Sequence, residues 1–306
     1  MSAETGPAYC ARLVREADYE RYATAMFMPS EHRDAVLALY AFNAEIGRVR
    51  GQITQPMAGE IRLQWWTDVL SGKSAPDAAG HPVAAELLRV VGRYRLSAAS
   101  LSELVAAHRF DLYNEPMQTV AEMEGYLDQT AGKLFMFGAR ILGATAAWRG
   151  SPKPGSQRER AAGRSPPPRT VSLEDLTHHA SLAHGLVSLI EAMPRHSARG
   201  QLYLPVALLE RFGVMRETIF AGGASAELRQ LLRFLAAEAR TARDEAMRLL
   251  AGIDPPSRAN FLLLGSIGSR LARLERCGFD PFRLAPPSHL SLLFTCWRSS
   301  RRLKRL

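Results

Sequence analysis

The amino-acid sequence predicts an all-α protein, and three observations lead to that prediction. Apolar residues recur at helical spacing along most of the 306-residue chain. Helix start signals precede several of these periodic segments. No segment has the alternating pattern of a half-buried strand, and no internal repeat is visible. With 47% hydrophobic and 23% charged residues, the chain has a globular composition that allows a sizeable core.

Two helices are predicted in the first quarter of the chain. The first starts at Ser30 and carries an apolar stripe, formed by Val36, Leu39, Tyr40, Phe42, Ile46 and Val49. The second covers residues 59–70 and ends before Gly72, a residue type that suits a helix C-terminus. Its apolar residues at helical spacing are Ile61, Trp65, Trp66, Val69 and Leu70. We therefore predict that both tryptophans are core residues and not a ligand platform.

Three further helices are predicted from start signals and composition. Ser100 with Glu103 resembles a capping box ahead of the apolar residues Leu104, Val105 and Leu112. Ser172 with Asp175 is a weaker form of the same signal, ahead of Leu182, Leu186, Leu189 and Ile190. Residues 226–250 are rich in Ala, Leu, Arg and Glu, which are strong helix formers.

Two basic segments depart from the helical pattern. Residues 149–170 are rich in Pro, Gly, Ser and Arg and almost free of apolar residues, which predicts a disordered insert. The tail, 286–306, joins a short apolar run to a basic cluster, as in segments that lie on an anionic membrane surface. A frayed, solvated terminus is the alternative. The two segments carry much of the net charge of +9, and we predict no nucleic-acid partner.

The compartment is predicted from cysteine spacing and from the N-terminus. Cys10, Cys277 and Cys296 lie far apart, and no CxxC motif is present, so neither a disulfide framework nor a zinc site is indicated. No run of about 18 apolar residues and no secretory signal are visible. These features predict the bacterial cytoplasm, and a processed organellar protein is the alternative.

Five short segments occur in an order that resembles one known family. They are Tyr9-Cys10, FMPSEHR with LYAFN (27–33 and 39–43), LQWWTDVL (63–70), the segment with Tyr126, Ala131 and Gly132, and RGQLYLP (199–205). Together they span about residues 9–283 and resemble the squalene/phytoene synthase family. The resemblance implies an isoprenoid synthase-like single helical bundle around a central cavity. Residues 1–148 and 171–285 would form that one domain.

Enzymes of that family ionise an allylic diphosphate and hold the leaving pyrophosphate through magnesium ions. Magnesium prefers oxygen ligands, so two acidic motifs face each other, each with aspartates four residues apart on one helix face. By the resemblance, these acidic positions fall on Gly47, Arg48, Gly51, Ala192 and His196. None of them is acidic, and no two aspartates in the chain are four residues apart. We therefore predict no catalytic residue and no metal ligand at these positions. Magnesium would be a cofactor only if the protein were nevertheless an enzyme.

Four other carboxylates are candidate replacement ligands. They are Glu45, Glu191, Asp111 and Glu115. Single carboxylates on helices are usually solvated or ion-paired, and Arg195 lies one turn beyond Glu191. We therefore predict that none of the four is a ligand.

Several other positions of the family pattern are retained. By the resemblance, Arg33 and Arg199 are candidate diphosphate contacts, and Tyr40, Tyr126 and Tyr203 are candidate cavity contacts. The structural interpretation, which we favour, makes Tyr40 and Tyr126 core residues. Gly132 would then permit close helix packing, and Pro205 would start a helix.

The segment NAEIGRVR followed by RLQWW resembles the complex I assembly factor branch of the family, in which the acidic motifs are also degenerate. This resemblance implies a non-catalytic protein that helps to build respiratory complex I, with complex I subunits or assembly proteins as partners. It would act peripherally at the inner membrane, on the bacterial cytoplasmic side or on the mitochondrial matrix side. The alternatives are an active prenyltransferase that condenses two prenyl diphosphates and a non-catalytic carrier of an isoprenoid lipid.

Overall fold

The computed structural model describes residues 4–143 and 172–303. Within these ranges every regular element is a helix and none is a strand, which confirms the predicted all-α class. The predicted insert, 149–170, lies outside the described residues, as do residues 304–306 of the tail. No helix in the described ranges has both the length and the apolar character needed to cross a membrane.

The first described range contains nine α-helices, followed by seven in the second. The first nine are α1 Gly6–Ala17, α2 Tyr19–Ala25, α3 Ser30–Gly47, α4 Pro56–Leu70, α5 Ala75–Gly80, α6 Pro82–Tyr94, α7 Ala98–Ala107, α8 Val120–Leu127 and α9 Lys133–Ile141. A π-helical segment, Asp128–Gly132, joins α8 to α9. The others are α10 Leu173–Ser197, α11 Val206–Phe212, α12 Arg216–Phe220, α13 Ala226–Leu250, α14 Pro255–Arg258, α15 Leu264–Arg276 and α16 His289–Leu303.

Two long helices organise the bundle. In α3 every residue from 35 to 42 is buried, so the helix is apolar all round, as a central helix must be. It packs against α1, α6 and α9. In the second half α10 packs along α13 and also contacts α9, α15 and the π-helical segment. A Cβ atom on Gly132 would lie 3.3 Å from the Ser181 Cβ atom, so this glycine lies close against α10.

The helix boundaries confirm most of the start signals. Helix α3 begins at Ser30, and α13 covers the predicted residues 226–250. Ser172 caps α10, because its hydroxyl accepts a hydrogen bond from the Asp175 amide at 3.2 Å. The start predicted at Ser100 is wrong. Helix α7 begins at Ala98, and its cap is Ser97, whose hydroxyl accepts a hydrogen bond from the Ser100 amide at 3.1 Å.

Two other expectations are corrected. Ile61 is 65% exposed, because the buried stripe of α4 runs through Leu63, Trp66 and Leu70, and Ile61 lies on the opposite side. The tail is not frayed within its described part, since residues 289–303 form α16, which packs against α2 and α15.

Candidate functional site

The two degenerate motifs lie on elements that border one cavity. The end of α3 continues into a 3-10 turn, Val49–Gln52, and the C-terminal half of α10 lies across from it. The cavity has a volume of about 410 Å³, and α10 contributes Ala192 and Arg195 to its lining. Asn43 of α3, the start of α2, α8, the π-helical segment and α15 also contribute to the wall. A cavity is therefore present beside the elements that carry the two motifs.

Four of the five degenerate positions lie close to other side chains. A Cβ atom on Gly47 would lie 3.9 Å from His108 Cε1, and one on Gly51 would lie 3.3 Å from Arg199 Nη2. Arg48 forms an ion pair with Glu45. The His196 ring lies against the Tyr203 ring, with 4.5 Å between the ring centroids. An acidic side chain at residue 51 would therefore lie against the Arg199 guanidinium, which would shift slightly to make room.

This set of donors does not fit a magnesium–pyrophosphate cluster. Magnesium needs several oxygen ligands in near-octahedral geometry. The five positions supply two glycines, an alanine, a guanidinium and an imidazole, and none supplies a carboxylate oxygen. Across residues 4–143 and 172–303, no three His, Cys, Asp or Glu side chains are grouped so that they could hold a metal ion.

Of the four candidate replacement carboxylates, two form ion pairs with arginines and a third is exposed to solvent. Glu45 pairs with Arg48. Glu191 is held by two arginines of α15, with 2.7 Å to Arg270 Nη2 and 2.7 Å to Arg273 Nη2. Glu115 is exposed, whereas Asp111 is buried, so the two carboxylates do not form a pair.

The fourth carboxylate, Asp111, is the centre of a buried hydrogen-bond network. Its Oδ1 atom accepts from the Tyr126 hydroxyl at 2.9 Å and from the Tyr203 hydroxyl at 2.7 Å. Its Oδ2 atom lies 2.6 Å from His108 Nδ1, and its backbone oxygen accepts from Gln201 Nε2 at 2.6 Å. Both carboxylate oxygens are therefore engaged, and two of the candidate cavity tyrosines serve to hold Asp111.

Burial and Asp111 keep the two tyrosines protonated. Burial raises the pKa of Tyr126 well above its usual range, and the nearby Asp111 charge raises it further. The pKa of Tyr203 is raised by the same two causes in the same order. Both hydroxyls therefore remain donors to Asp111 at neutral pH, which stabilises the link between α8 and the segment after α10.

A second polar cluster, centred on Arg270 of α15, borders the same cavity. This guanidinium is buried and contacts Glu191, the Ser188 hydroxyl at 2.9 Å and His184 Nδ1 at 3.2 Å. Glu20 of α2 lies 3.5 Å away. Sequence reasoning missed this cluster because its members come from three distant helices. Only the unusual burial of an arginine, which the sequence does not show, identifies it.

The remaining candidate contacts have structural surroundings. Arg33 donates hydrogen bonds to the backbone carbonyls between α2 and α3, at Ala25, Met26 and Met28, each at 3.3 Å. Tyr40 is buried beneath the Arg21 guanidinium, which lies 5.7 Å from its ring centroid. Burial raises the pKa of Tyr40 to about 12. Arg199 is exposed, with its guanidinium beside Gly51, so of these residues it is the one still free to meet a ligand.

The stability of the site is expected to fall in acid because of His196. Burial lowers the pKa of His196 to about 4, from an ordinary value of 6.5, and the Arg195 charge acts in the same direction. The stabilisation from the neutral ring is therefore complete above pH 6.5 and is lost as the pH falls towards 4. Between pH 7 and pH 5 we expect a loss of about 1–2 kcal/mol, measured by urea unfolding.

The matched variant for this measurement is His196→Phe. It keeps an aromatic ring against Tyr203 and removes the titrating group. We expect its loss between pH 7 and pH 5 to be smaller than that of the wild type. An unchanged pH dependence in this variant would contradict the assignment to His196.

Comparisons with known proteins place this geometry in context. The family model described as squalene/phytoene synthase matches residues 14–298. The complex I assembly factor 6 protein of Mus musculus is 24% identical over 312 residues, covering 97% of this chain and 86% of that protein. The Homo sapiens protein of the same name is 24% identical over 288 residues, covering 92% and 79%. Phytoene synthase of Arthrospira platensis is 22% identical over 255 residues, covering 81% and 77%.

Two solved structures have the same fold. A dehydrosqualene synthase in complex with ligand superposes with a TM-score of 0.76 at 16% identity, covering 98% of this chain and 97% of that one. Squalene synthase HpnC from Alicyclobacillus acidocaldarius superposes with a TM-score of 0.68 at 20% identity, covering 90% and 95%. These likenesses confirm the isoprenoid synthase-like helical fold.

Proposed function

The chain belongs to the squalene/phytoene synthase family, in a degenerate branch of it, and on that premise we propose a non-catalytic protein that helps respiratory complex I to assemble at a membrane surface. The observation that carries the proposal is the set of side chains at the two acidic-motif positions. The positions of both acidic motifs hold residues without a carboxylate, namely Gly47, Arg48, Gly51, Ala192 and His196.

The chemistry of the leaving group explains why this donor set matters. Pyrophosphate leaves as a strongly charged anion, and metal ions stabilise that charge by several kcal/mol. In this chain an ionised diphosphate at the cavity would meet Arg195 and would find no carboxylate at the five motif positions to bind magnesium. Arginines bind phosphate but do not assemble a metal cluster. The cavity therefore favours a role without an ionisation step. We propose no cofactor for that role.

The assembly role is supported by the relatives. Complex I assembly factor 6 proteins match 92% and 97% of this chain, in human and mouse, whereas the cyanobacterial phytoene synthase matches 81% at similar identity. The proposed partners are complex I subunits or other assembly proteins. The proposed location is peripheral at the inner membrane, on the cytoplasmic side in a bacterium or on the matrix side in a mitochondrion.

Two alternatives have less support. An active prenyltransferase would need metal ligands that the five positions do not provide. An isoprenoid carrier would need an apolar cavity, and the cavity beside α10 has Glu20, Arg21 and Arg270 in its lining. A second cavity of about 900 Å³, lined in part by Leu182, Leu186 and Phe234, is the more apolar one.

Complementation tests the assembly role. In cells without this protein, we expect fully assembled complex I and NADH–ubiquinone activity to fall severalfold, and wild-type protein to restore both. Assembled complex is measured on native gels and activity in isolated membranes. The matched control is an active squalene synthase with intact acidic motifs. Unchanged complex I in the deletion, or rescue by that active enzyme, would contradict the proposal.

A further inference from the structure

Helix α16 is packed on one face and open on the other. The side chains that face the bundle are Cys296, Ser299 and Leu303, all of which are buried. They contact α2 and α15, and the His289 ring at the start of the helix stacks on the Tyr19 ring at 3.7 Å between centroids. The helix is therefore fixed to the body of the protein, and the direction of its outer face is defined.

The outer face carries an apolar stripe that nothing in the described residues covers. Leu290, Phe294 and Trp297 are 79%, 60% and 44% exposed. They are spaced four and three residues apart, which places them in one line along the helix. Arg301 follows four residues later, and its guanidinium lies 4.8 Å from the Trp297 ring centroid. We call these four residues the outer stripe.

The concentration of exposed apolar surface here is unusual for this chain. Of the seven large apolar side chains exposed in the described part of the protein, three belong to the outer stripe. Phe294 and Trp297 also stack on each other, with 5.7 Å between ring centroids, so they present one continuous surface. A contiguous exposed apolar patch of this kind marks a docking surface more often than an accident of folding.

The charges around the stripe identify what it fits. Arg298 and Arg302 are exposed beside it, and Arg301 lies within it. No acidic residue follows Asp280 in the sequence, so this end of the chain is uniformly basic. A helix with Trp, Phe and Leu on its outer face and arginines around them is suited to the boundary between lipid headgroups and acyl chains. The arginines would meet phosphate groups of anionic lipids.

We infer that α16 docks the protein on an anionic lipid bilayer, with the outer stripe inserted at the headgroup level. The stripe is about 16 Å long at 1.5 Å per residue and straight, so it can lie flat on a bilayer. This inference rests on the membrane-surface part of the proposed function and names the surface that part requires. A protein partner for the same stripe is the competing occupant.

Vesicle flotation of the full-length protein tests the inference. We expect the wild type to float with vesicles of phosphatidylcholine mixed with phosphatidylglycerol and to bind pure phosphatidylcholine at least tenfold more weakly. Two triple variants test the two components of the surface: Leu290→Ser/Phe294→Ser/Trp297→Ser, and Arg298→Gln/Arg301→Gln/Arg302→Gln. Each should lower the partition coefficient on anionic vesicles at least tenfold.

The matched control is Met57→Ser/Ile61→Ser. These two side chains are 68% and 65% exposed on α4, so the change removes similar apolar surface from another part of the protein. It should leave flotation unchanged, and circular dichroism should show all variants folded, because the changed side chains face solvent. As a second measurement, Trp297→Phe should remove most of the blue shift in tryptophan fluorescence on vesicle addition.

Three outcomes would overturn the inference. They are no flotation of the wild type, equal loss in the control, and full flotation of the stripe variant. If the stripe variant floats normally but fails to restore complex I in cells, the stripe is a protein-docking surface instead. Flotation uses purified protein, so a wild type that does not bind vesicles contradicts the docking of α16 and leaves the assembly role untouched. If the wild type fails to restore complex I in cells, the assembly role is contradicted and the docking of α16 is not.

Discussion

Asp111→Ala is expected to lower the free energy of unfolding by about 3–5 kcal/mol. The change leaves the hydroxyls of Tyr126 and Tyr203 and the Nδ1 atom of His108 without their shared acceptor in a buried site. Each orphaned buried donor costs about 1–3 kcal/mol, and removing one partner of a buried charged network typically costs about 3–5 kcal/mol. Urea unfolding at pH 7 measures the loss.

Two controls separate this network from a general effect of mutation. Asp111→Asn keeps an oxygen for both tyrosines, so we expect a loss of only about 1–2 kcal/mol. Glu115→Ala, four residues on and exposed, should change stability by less than about 0.5 kcal/mol. Removal of a carboxylate that serves only to bind a metal usually stabilises the metal-free protein, because it relieves strain at the site. If Asp111→Ala left the free energy of unfolding unchanged or raised it, Asp111 would again be a candidate metal ligand.

Restoring one acidic wall is expected to leave the protein inactive. In Ala192→Asp/His196→Asp, the opposite wall at Gly47 and Gly51 still lacks its acids, and Arg48 still carries a cation there. Each tenfold in rate corresponds to about 1.4 kcal/mol, so a missing half of the metal site costs several orders of magnitude. We expect no condensation product from this variant and no magnesium-dependent tightening of diphosphate binding, measured by calorimetry.

The structure also shows why restoring the other wall requires a further change. An aspartate at residue 51 would have its Cβ atom 3.3 Å from Arg199 Nη2 and would pair with that guanidinium instead of a metal. A variant with acids at both walls therefore also needs Arg199→Ala. If Ala192→Asp/His196→Asp alone formed product with magnesium, the two walls would not act together and this interpretation would be wrong.

The sequence was sufficient to predict the parts of the fold that depend on local signals. Helix α13 consists of strong helix formers, and the start of α10 is marked by Ser172, whose hydroxyl caps it. The family resemblance supplied the arrangement of these helices. Local signals failed where two residues were equally good candidates for the helix cap. Ser97 and Ser100 are both suitable cap residues, and α7 uses Ser97.

The polar centre of the protein could not be predicted, because it depends on contacts between distant residues. Asp111 is 15 residues from Tyr126 and 92 from Tyr203, and no local spacing relates the three. Arg270 meets Glu191 from 79 residues away. Taken singly, each of these residues is an ordinary charged or aromatic residue. Only the fold shows that Asp111 and Glu191 are engaged and cannot replace the missing aspartates.

The most direct test of the central claim is a turnover assay on the wild-type protein. Farnesyl diphosphate and geranylgeranyl diphosphate are each supplied with magnesium, and an active squalene synthase is run in parallel as the positive control. The missing carboxylates at residues 47, 48, 51, 192 and 196 predict no detectable squalene-like or phytoene-like product. Conversion of either diphosphate at about one per second, a rate typical of working enzymes, would contradict the claim that this member of the family is non-catalytic.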